Sequence, residues 1–409
     1  MAGLNIGVAR TDITPPVGVQ LCGYTLRAST SVDHPLRAEA LVCEGEDGAW
    51  ALVTADLLAV SRPLVATVRQ AVATRTPLAP DSILVAATHT HSGPRAYAVG
   101  WSERPEETDY LRTLEERLAD LVVQAWDDRR AGEWVVGHAE VRDLASNRRV
   151  RDASGAWTNE WADPDGRHPG PVDPTADLLG VRRADGTLDA LLVTYGRHPV
   201  GFGAKSTCIS GDYPSYLKDA LEASGEVGAA LFAVSGHADV DPRVCVQADP
   251  APVRETGRRL AEAVRDALPG LAPVPAGPVR AVREPWTIPL AWSLSEHSRS
   301  YFPVHETGET LVTEVQALGA GDLCLIGLPG EAVNAYRARI RDASPFAETL
   351  LLSVANDFVG YLVTDAILEE GAYEAGMSPL RPAEADILGT ATATLQRLRA
   401  AMPDAQQAT

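Results

Sequence analysis

Apolar residues in this chain follow two alternating spacings. Continuous apolar runs such as ALVTADLLAV (51–60), SILVAAT (82–88) and LDALLVTYG (188–196) predict buried β-strands, and similar runs occur at 134–144, 323–329 and 349–357. Apolar residues three and four positions apart predict amphipathic helices over 62–75, 108–132, 213–224, 253–268 and 383–402. The alternation predicts an α/β fold in which mixed β-sheets are flanked by helices.

The pattern shows no internal repeat, so we predict a single domain over residues 1–409, with a terminal helix and tail at 379–409. The proline-rich segment GLAPVPAGPVRAV (270–282) could be a linker. The stretch from Arg151 to Asp177 is rich in Gly, Pro, Asp and Trp, and a loop of this length is a candidate pocket wall. REPWTIPLAWSLSE (283–296) could line a substrate channel with its two tryptophans, or could form a half-buried strand pair.

The composition of the chain disfavours some classes of binding partner. The net charge is −19, which disfavours nucleic acid and anionic membranes as partners. We see no apolar run long enough to span a bilayer and no secretory signal, so we expect a cytoplasmic protein. The five dispersed cysteines are expected to be reduced packing residues.

Two of only nine histidines lie one residue apart in VAATHTHSGPR, at His89 and His91. On a strand they would project from the same face. Adjacent imidazoles suit a divalent metal such as zinc, which takes nitrogen and oxygen ligands at about 2.0–2.2 Å. The pair could equally be a hydrogen-bonded strand terminus.

Three further apolar runs are followed by residues able to bind a metal or move protons, namely His198, Glu331 and Tyr361. Ligand sites in α/β folds gather at strand ends. Each residue also has an ordinary structural interpretation: His198 as a satisfied histidine, Glu331 as a helix N-terminal acid and Tyr361 as a core aromatic. Spacing alone does not bring these residues together.

Five motifs, in order, resemble the neutral (non-lysosomal) ceramidase family of zinc amidases. They are GVARTDITPPVGVQLCGY (7–24), ATHTHSGP (87–94), GRHPVGFG with ISGDYPSY (196–216), GLPGEAVNAYRARIR (327–341) and VANDFVGYLVT (354–364). The resemblance runs to about Ser378. It implies the family's catalytic fold, and we expect the chain to lack the immunoglobulin-like domain that follows it in ceramidases.

By this resemblance, one Zn²⁺ ion would be held by His89, His198, Glu331 and Tyr361. His91 would face the substrate carbonyl or the leaving group. Arg148 in ASNRRV (145–150) resembles the family's active-site arginine, which would bind the substrate or its oxyanion, although Arg149 could be that residue instead.

One position departs from the family. FAVSGHADVDPR (232–243) resembles a loop in which the family has a catalytic serine just before the proline, and here that position is Asp241. An aspartate cannot act as a serine-type nucleophile, but Asp241 could be a general base or could bind a substrate amine, as could Asp239 or His237. Alternatively, the acids cap a turn.

These observations favour a zinc-dependent amidohydrolase that cleaves the N-acyl bond of a small soluble metabolite by zinc-hydroxide attack. His91, Tyr361 and Arg148 would stabilise the oxyanion, and Asp241 or His91 would move protons. A zinc-dependent ester or lactone hydrolase and a non-catalytic binding protein on the same fold are the alternatives. The sequence is compatible with a homo-oligomer.

Overall fold

The structure is a computed structural model that describes residues 3–96, 105–168, 170–289, 310–378 and 384–402. Two 3₁₀ turns lie at Pro80–Ser82 and Leu268–Gly270. In these ranges the helices are α1 (Arg62–Ala73), α2 (Pro105–Asp127), α3 (Asp212–Ala223), α4 (Pro250–Ala267), α5 (Ala335–Ala343), α6 (Asp365–Glu370), α7 (Tyr373–Gly376) and α8 (Glu384–Ala400).

The strands of the same ranges follow in chain order. They are β1 (Leu4–Asp12), β2 (Gln20–Leu21), β3 (Arg27–Ala28), β4 (Ser31–Val32), β5 (Arg37–Glu44), β6 (Ala49–Ala55), β7 (Ile83–Ala87), β8 (Arg130–Glu140), β9 (Ala145–Asn147), β10 (Arg149–Arg151), β11 (Trp157–Asn159), β12 (Thr175–Arg182), β13 (Leu188–Tyr195), β14 (Cys208–Ile209), β15 (Val227–Val234), β16 (Val240–Pro242), β17 (Ala272–Pro273), β18 (Val279–Pro289), β19 (Thr310–Ala320), β20 (Leu323–Gly327), β21 (Glu331–Ala332), β22 (Glu348–Leu352) and β23 (Tyr361–Leu362).

Two mixed sheets contain the longer strands. The large sheet has the order β15–β13–β12–β8–β1–β5–β6–β7, with β17 paired to β8, and the smaller sheet has the order β18–β19–β20–β22. The pairs β6/β7, β13/β15 and β20/β22 are parallel, and the other pairs within these two sheets are antiparallel. The predicted α/β class with mixed sheets is confirmed.

The sheets and helices stack in layers. One face of the large sheet packs against the smaller sheet, with an apolar core between them that includes Trp50, Trp134, Leu318 and Leu350. The Trp50 and Trp134 rings stack at 5.7 Å, and Nε1 of Trp50 donates to the carbonyl of Gly319 across the layer. Helices α1–α4 cover the other face of the large sheet, and α8 covers the outer face of the smaller one.

Local sequence explains these elements. Ser61 caps α1 by accepting a hydrogen bond from the backbone N–H of Leu64, and a proline occupies its first turn. The apolar residues of this helix then recur on one side and face the core. Strand β13 is an apolar run because the helices and the smaller sheet bury it on both faces.

The chain after β22 joins the two edges of the large sheet. Ser353 N–H donates to the carbonyl of Val234 at the end of β15, while Asn356 N–H donates to the carbonyl of Val85 in β7. Val354 and Asn356 both have positive φ, at 53° and 63°. A β-branched residue in this region is strained, so packing must fix the segment. The carboxyl ends of β7 and β15 are thereby brought to the same place.

Several predicted boundaries were wrong. The strand expected to carry His89 and His91 ends at Ala87. The helix expected to begin at Glu331 begins at Ala335, because Glu331 pairs with Tyr361 in a short parallel ladder. Tyr361 likewise lies in that ladder, well after the end of β22.

The segment 270–282 is not a linker. Its residues Ala272–Pro273 pair with β8, and Val279 begins β18. Trp286 of β18 is buried, which confirms the strand interpretation for 283–289, whereas Trp292 lies outside the described residues. All five cysteines are free, and four are buried. Within the described ranges, we find no helix with the length and apolar character required to cross a bilayer.

Candidate functional site

Four ionisable side chains converge at the carboxyl ends of strands. His89 follows β7, His198 follows β13, His237 follows β15 and Glu331 follows β20. Each offers one ligand atom, and these four atoms all lie within 4.8 Å of one another. All four residues are buried. The structure therefore brings together His89, His198 and Glu331, which the resemblance implied as ligands, with His237 among them, and Tyr361 is the strand partner of Glu331.

The spacing of these atoms suits ligands that share one metal ion. Oε2 of Glu331 lies 3.3 Å from Nε2 of His89, 3.0 Å from Nε2 of His198 and 3.8 Å from Nε2 of His237. Two metal bonds of about 2.0–2.1 Å at a tetrahedral angle place their ligand atoms roughly 3.3 Å apart. The distances from Glu331 to His89 and His198 match this separation, and the wider separations of the cluster, up to 4.8 Å, would shorten around one Zn²⁺ ion.

Backbone carbonyls fix the orientation of the three imidazoles. Nδ1 of His89 lies 2.7 Å from the carbonyl of Leu58, Nδ1 of His237 lies 2.8 Å from that of Ser235, and Nδ1 of His198 lies 3.1 Å from that of His237. A carbonyl only accepts, so in each ring the hydrogen-bond network assigns the proton to Nδ1. With Nδ1 as the donor, each Nε2 would present its lone pair to a bound metal, and for His198 this would replace the 3.0 Å hydrogen-bond contact of Nε2 with Oε2 of Glu331.

The pKa shifts of the clustered side chains are also those expected of metal ligands. Burial by itself would raise the pKa of Glu331, but His89 and His198 hold it well below its usual range, so the carboxylate stays ionised. Burial lowers the pKa of His198 and lowers that of His237 far below the ordinary value. These shifts favour an anionic carboxylate at Glu331 and neutral imidazoles at His198 and His237, which are the forms that metal ligands require.

His91 lies beside this cluster. Its Nε2 is 3.3 Å from Nε2 of His89, and their ring centroids are 4.9 Å apart. The two rings meet because His89 adopts a left-handed backbone with φ of 70° in a loop, not because both project from a strand. Gly23 has a φ of 90°, and a Cβ there would lie 2.5 Å from the His91 ring. Burial and the neighbouring His89 lower the pKa of His91 well below its usual value.

Arg148 is buried and donates hydrogen bonds to three side chains. Its Nε donates to Glu374 at 2.8 Å, its Nη1 to Asp241 at 3.1 Å and its Nη2 to the hydroxyl of Tyr361 at 3.1 Å. Burial by itself would lower the pKa of Arg148, but Asp241, Tyr361 and Glu374 raise it, so the guanidinium stays charged. Arg149 instead pairs with Glu370. Of the two arginines, Arg148 is the one that contacts other candidate residues.

Asp241 links this arginine to the histidine cluster. Its Oδ1 accepts from Arg148 and lies 3.5 Å from Nδ1 of His198. The carboxylate of the neighbouring Asp239 accepts hydrogen bonds from the backbone N–H of Asn334 and from the side chain of Asn147 instead. Asp241 is thus placed to orient Arg148 and His198.

Aromatic residues cover the outer side of Arg148. The guanidinium lies 4.8 Å from the Trp161 ring and 5.4 Å from the Tyr373 ring, and these two rings meet edge to face at 5.1 Å. Trp161 and Tyr373 are about two-fifths exposed. The segment 151–177, predicted as a pocket wall, supplies this tryptophan.

Tyr361 lies between the arginine and the carboxylate of the cluster. Burial raises the pKa of its phenol well above the ordinary value, and Glu331 raises it further. The hydroxyl therefore remains protonated in the absence of a metal.

Sequence reasoning missed Glu374 and gave His237 only as an alternative proton carrier. The signal for His237 was present, because it follows the apolar run LFAV as His198 follows LLVTY. Glu374 follows no apolar run and precedes none, so its approach to Arg148 has no local signal.

The fold and the cluster define a layered α/β protein with a candidate metal centre at strand ends. Residues 4–252 match the family model described as neutral/alkaline non-lysosomal ceramidase, N-terminal. The chain belongs to this family.

Two solved structures share the fold. A crystal structure of neutral ceramidase from Pseudomonas aeruginosa aligns with a TM-score of 0.76 at 18% identity, covering 97% of this chain and 75% of that one. A ceramidase complexed with C2 aligns with a TM-score of 0.74 at 18% identity, covering 97% of this chain and 76% of that one.

Proposed function

We propose that the protein is a zinc-dependent hydrolase of amide bonds. The observation that carries this proposal is the position of the Glu331 carboxylate, which faces the Nε2 atoms of three buried histidines at distances suited to one metal ion. Membership of a ceramidase family supports the amide as the bond that is cleaved. A bound Zn²⁺ would polarise the carbonyl and make water acidic enough to react near neutral pH.

The surrounding residues would handle charge and protons. His91 is a neutral, buried imidazole whose Nε2 lies next to the cluster, so it is our candidate for the group that accepts a proton and passes it to the leaving amine. Arg148 donates to the hydroxyl of Tyr361, whose own proton would turn from Tyr373 to stabilise negative charge on the carbonyl oxygen. Asp241 would keep Arg148 in position.

The proposed substrate is a small soluble N-acyl compound rather than ceramide. Support comes from Asp241, which occupies the position where the family resemblance places a serine and which is already paired with Arg148. This exchange replaces a neutral hydroxyl by a buried carboxylate within hydrogen-bonding distance of the arginine.

Metal analysis and a substrate panel test the proposal together. The zinc-loaded protein would be incubated with N-acyl amino acids, a short-chain ceramide and the matched esters, and the released amines or acids would be quantified. We expect one zinc per chain and hydrolysis of an N-acyl amino acid that Glu331→Gln abolishes. Hydrolysis confined to the esters would change the bond assigned, and a protein that binds no stoichiometric metal would refute the proposal.

A further inference from the structure

Arg197, just after β13, has one edge of its guanidinium without a hydrogen-bond partner. The side chain is fully buried, and its Nη1 donates to the carbonyl of Leu144 at 2.9 Å. Nε and Nη2, which lie side by side on the other edge, make no hydrogen bond to any described residue. This is the forked edge with which an arginine pairs with an anion. A buried donor without an acceptor points to a bound ion or water.

The contacts of Arg197 do not cancel its charge, because no carboxylate of the described residues pairs with it. Cζ lies 3.9 Å from the ring centroid of Tyr213 and 5.6 Å from that of Tyr195. The guanidinium also approaches the Tyr213 hydroxyl, but this hydroxyl donates to the backbone carbonyl of Arg197 at 2.7 Å. The Asp212 carboxylate accepts instead from three backbone N–H groups. A buried charge without a counter-ion is strongly destabilising.

Tyr195 provides a second buried donor beside this arginine. Its hydroxyl has no hydrogen-bond partner in the described part of the chain. Burial raises the pKa of the Tyr195 phenol, so the hydroxyl keeps its proton, and Arg197 is the charged group that opposes this rise most strongly. The unpartnered donors of the two residues are therefore neighbours. Arg337 and Arg243 also act on the phenol, and each of these has a carboxylate partner of its own.

We propose that Arg197 and Tyr195 bind one small monovalent anion, such as chloride, in the interior of the protein. The anion would accept hydrogen bonds from Nε and Nη2 of Arg197 and from the hydroxyl of Tyr195, and it would compensate the buried positive charge. A water molecule in the same place would leave that charge uncompensated. Because the donor atoms are fully buried, the ligand has to be a small ion.

The anion would be a structural ion at the base of the candidate metal centre. Arg197 directly precedes His198, whose N–H donates to the carbonyl of Val240 in β16, and the carbonyl of Tyr195 accepts from the N–H of Ser235 after β15. Compensating the charge of Arg197 would therefore stabilise the adjacent ends of β13 and β15. This inference goes beyond the proposed hydrolase and does not depend on zinc or on a substrate.

The wild-type protein tests the site without any variant. Crystals grown without halide and soaked in sodium bromide should show an anomalous peak within hydrogen-bonding distance of Nε and Nη2 of Arg197. In solution, chloride would be added at constant ionic strength, with sodium glutamate as the balancing salt. We expect a saturable rise in melting temperature, on the order of 3 °C at 100 times the dissociation constant. A map without that peak, or equal effects of chloride and glutamate, would refute the anion site.

Two tyrosine variants test the donor set. Tyr195→Phe removes the proposed third donor, and the control Tyr110→Phe removes another buried hydroxyl, which donates to the carbonyl of Ile13 at 2.7 Å. Loss of a hydrogen bond to a charged group should weaken bromide binding by about tenfold or more in Tyr195→Phe, while Tyr110→Phe should bind bromide as the wild type does. Arg197→Met should abolish the effect of halide. Wild-type affinity for bromide in Tyr195→Phe would overturn the assignment.

Discussion

Asp241 accepts a hydrogen bond from Nη1 of Arg148 at 3.1 Å, and both side chains are almost completely buried. The pair fixes an arginine that also contacts the hydroxyl of Tyr361. Oδ1 of Asp241 also lies 3.5 Å from Nδ1 of His198, so the ion pair lies next to the candidate metal centre.

Replacing Asp241 by Asn should destabilise the fold. Removing one partner of a buried ion pair costs 3–5 kcal/mol, and because Glu374 still pairs with Arg148 we expect about 3 kcal/mol. Urea denaturation of the metal-free protein measures this free energy of unfolding. Asp241→Ser, which introduces the hydroxyl that the family resemblance places there, should cost at least as much. A change below about 0.5 kcal/mol in both variants would show that the pair is unimportant for stability.

Gly23 should be required for the position of His91. Gly23→Ala places a methyl group 2.5 Å from the His91 ring, at a φ of 90° that disfavours side chains. Gly18→Ala is the matched control, because Gly18 has a φ of 109° and nothing within 4 Å of its Cβ. Both variants carry backbone strain of about 1–3 kcal/mol. Only Gly23→Ala should also reduce hydrolytic activity, and equal activities in the two variants would contradict a catalytic role for His91.

A buried lysine on the helical side of the large sheet should be among the most sensitive positions. Lys218 donates to Glu39 and to both oxygens of Asp56, and all three residues are fully buried. Lys218→Met would leave the Asp56 carboxylate without its cation and Glu39 with Arg37 alone, at 3.3 Å, so we expect a loss of about 3–5 kcal/mol in the free energy of unfolding. Arg258→Ala, which removes exposed ion pairs with Glu255 and Glu262, should cost far less, because solvent screens such pairs. Similar losses in the two variants would contradict this reasoning.

Zinc should stabilise the native state, because the unfolded chain does not hold the four ligands together. At a free zinc concentration of 100 times the dissociation constant, linkage gives a gain of about 2.7 kcal/mol. Thermal unfolding with zinc and with a chelator measures this difference. His198→Ala should remove most of it. A melting temperature that zinc leaves unchanged in the wild type would speak against a specific site.

His34 should make stability depend on pH. Burial by itself lowers the pKa of His34, but hydrogen bonds to Asp219 and to the carbonyl of Pro35 more than offset this effect and raise the pKa above its ordinary value. Because the native state binds the proton more tightly, this contribution is fully present below the unfolded pKa of about 6.5 and is lost as pH rises through the raised native value.

Comparison of the wild type with His34→Gln isolates this effect from other titrating groups. Asp219 is half exposed, so the pair contributes at most about 1 kcal/mol. The variant should be less stable than the wild type at pH 6, and the difference should shrink by pH 9. A difference that is constant or grows with pH would have the wrong sign.

The sequence alone determined the elements that depend on near neighbours. Apolar spacing predicted α1, α3, α4 and α8 and the strands that precede the candidate ligands. A helix that buries one face, or a strand that is buried throughout, has apolar residues at a spacing that is visible within a few residues of sequence. Residue type restricted the candidate chemistry to a few histidines and acids at strand ends. The motif order also indicated the family, which the family model confirmed.

Only the tertiary structure decided which of these residues meet. His89 reaches the cluster through a left-handed backbone that no local pattern predicts, and the segment after β22 draws β7 and β15, the opposite edges of one sheet, together. Glu374 and Arg148 are likewise distant in the chain and adjacent in space. Such contacts depend on strand order and on the closure of long loops, and these are set by the packing of the whole core rather than by any short stretch of residues.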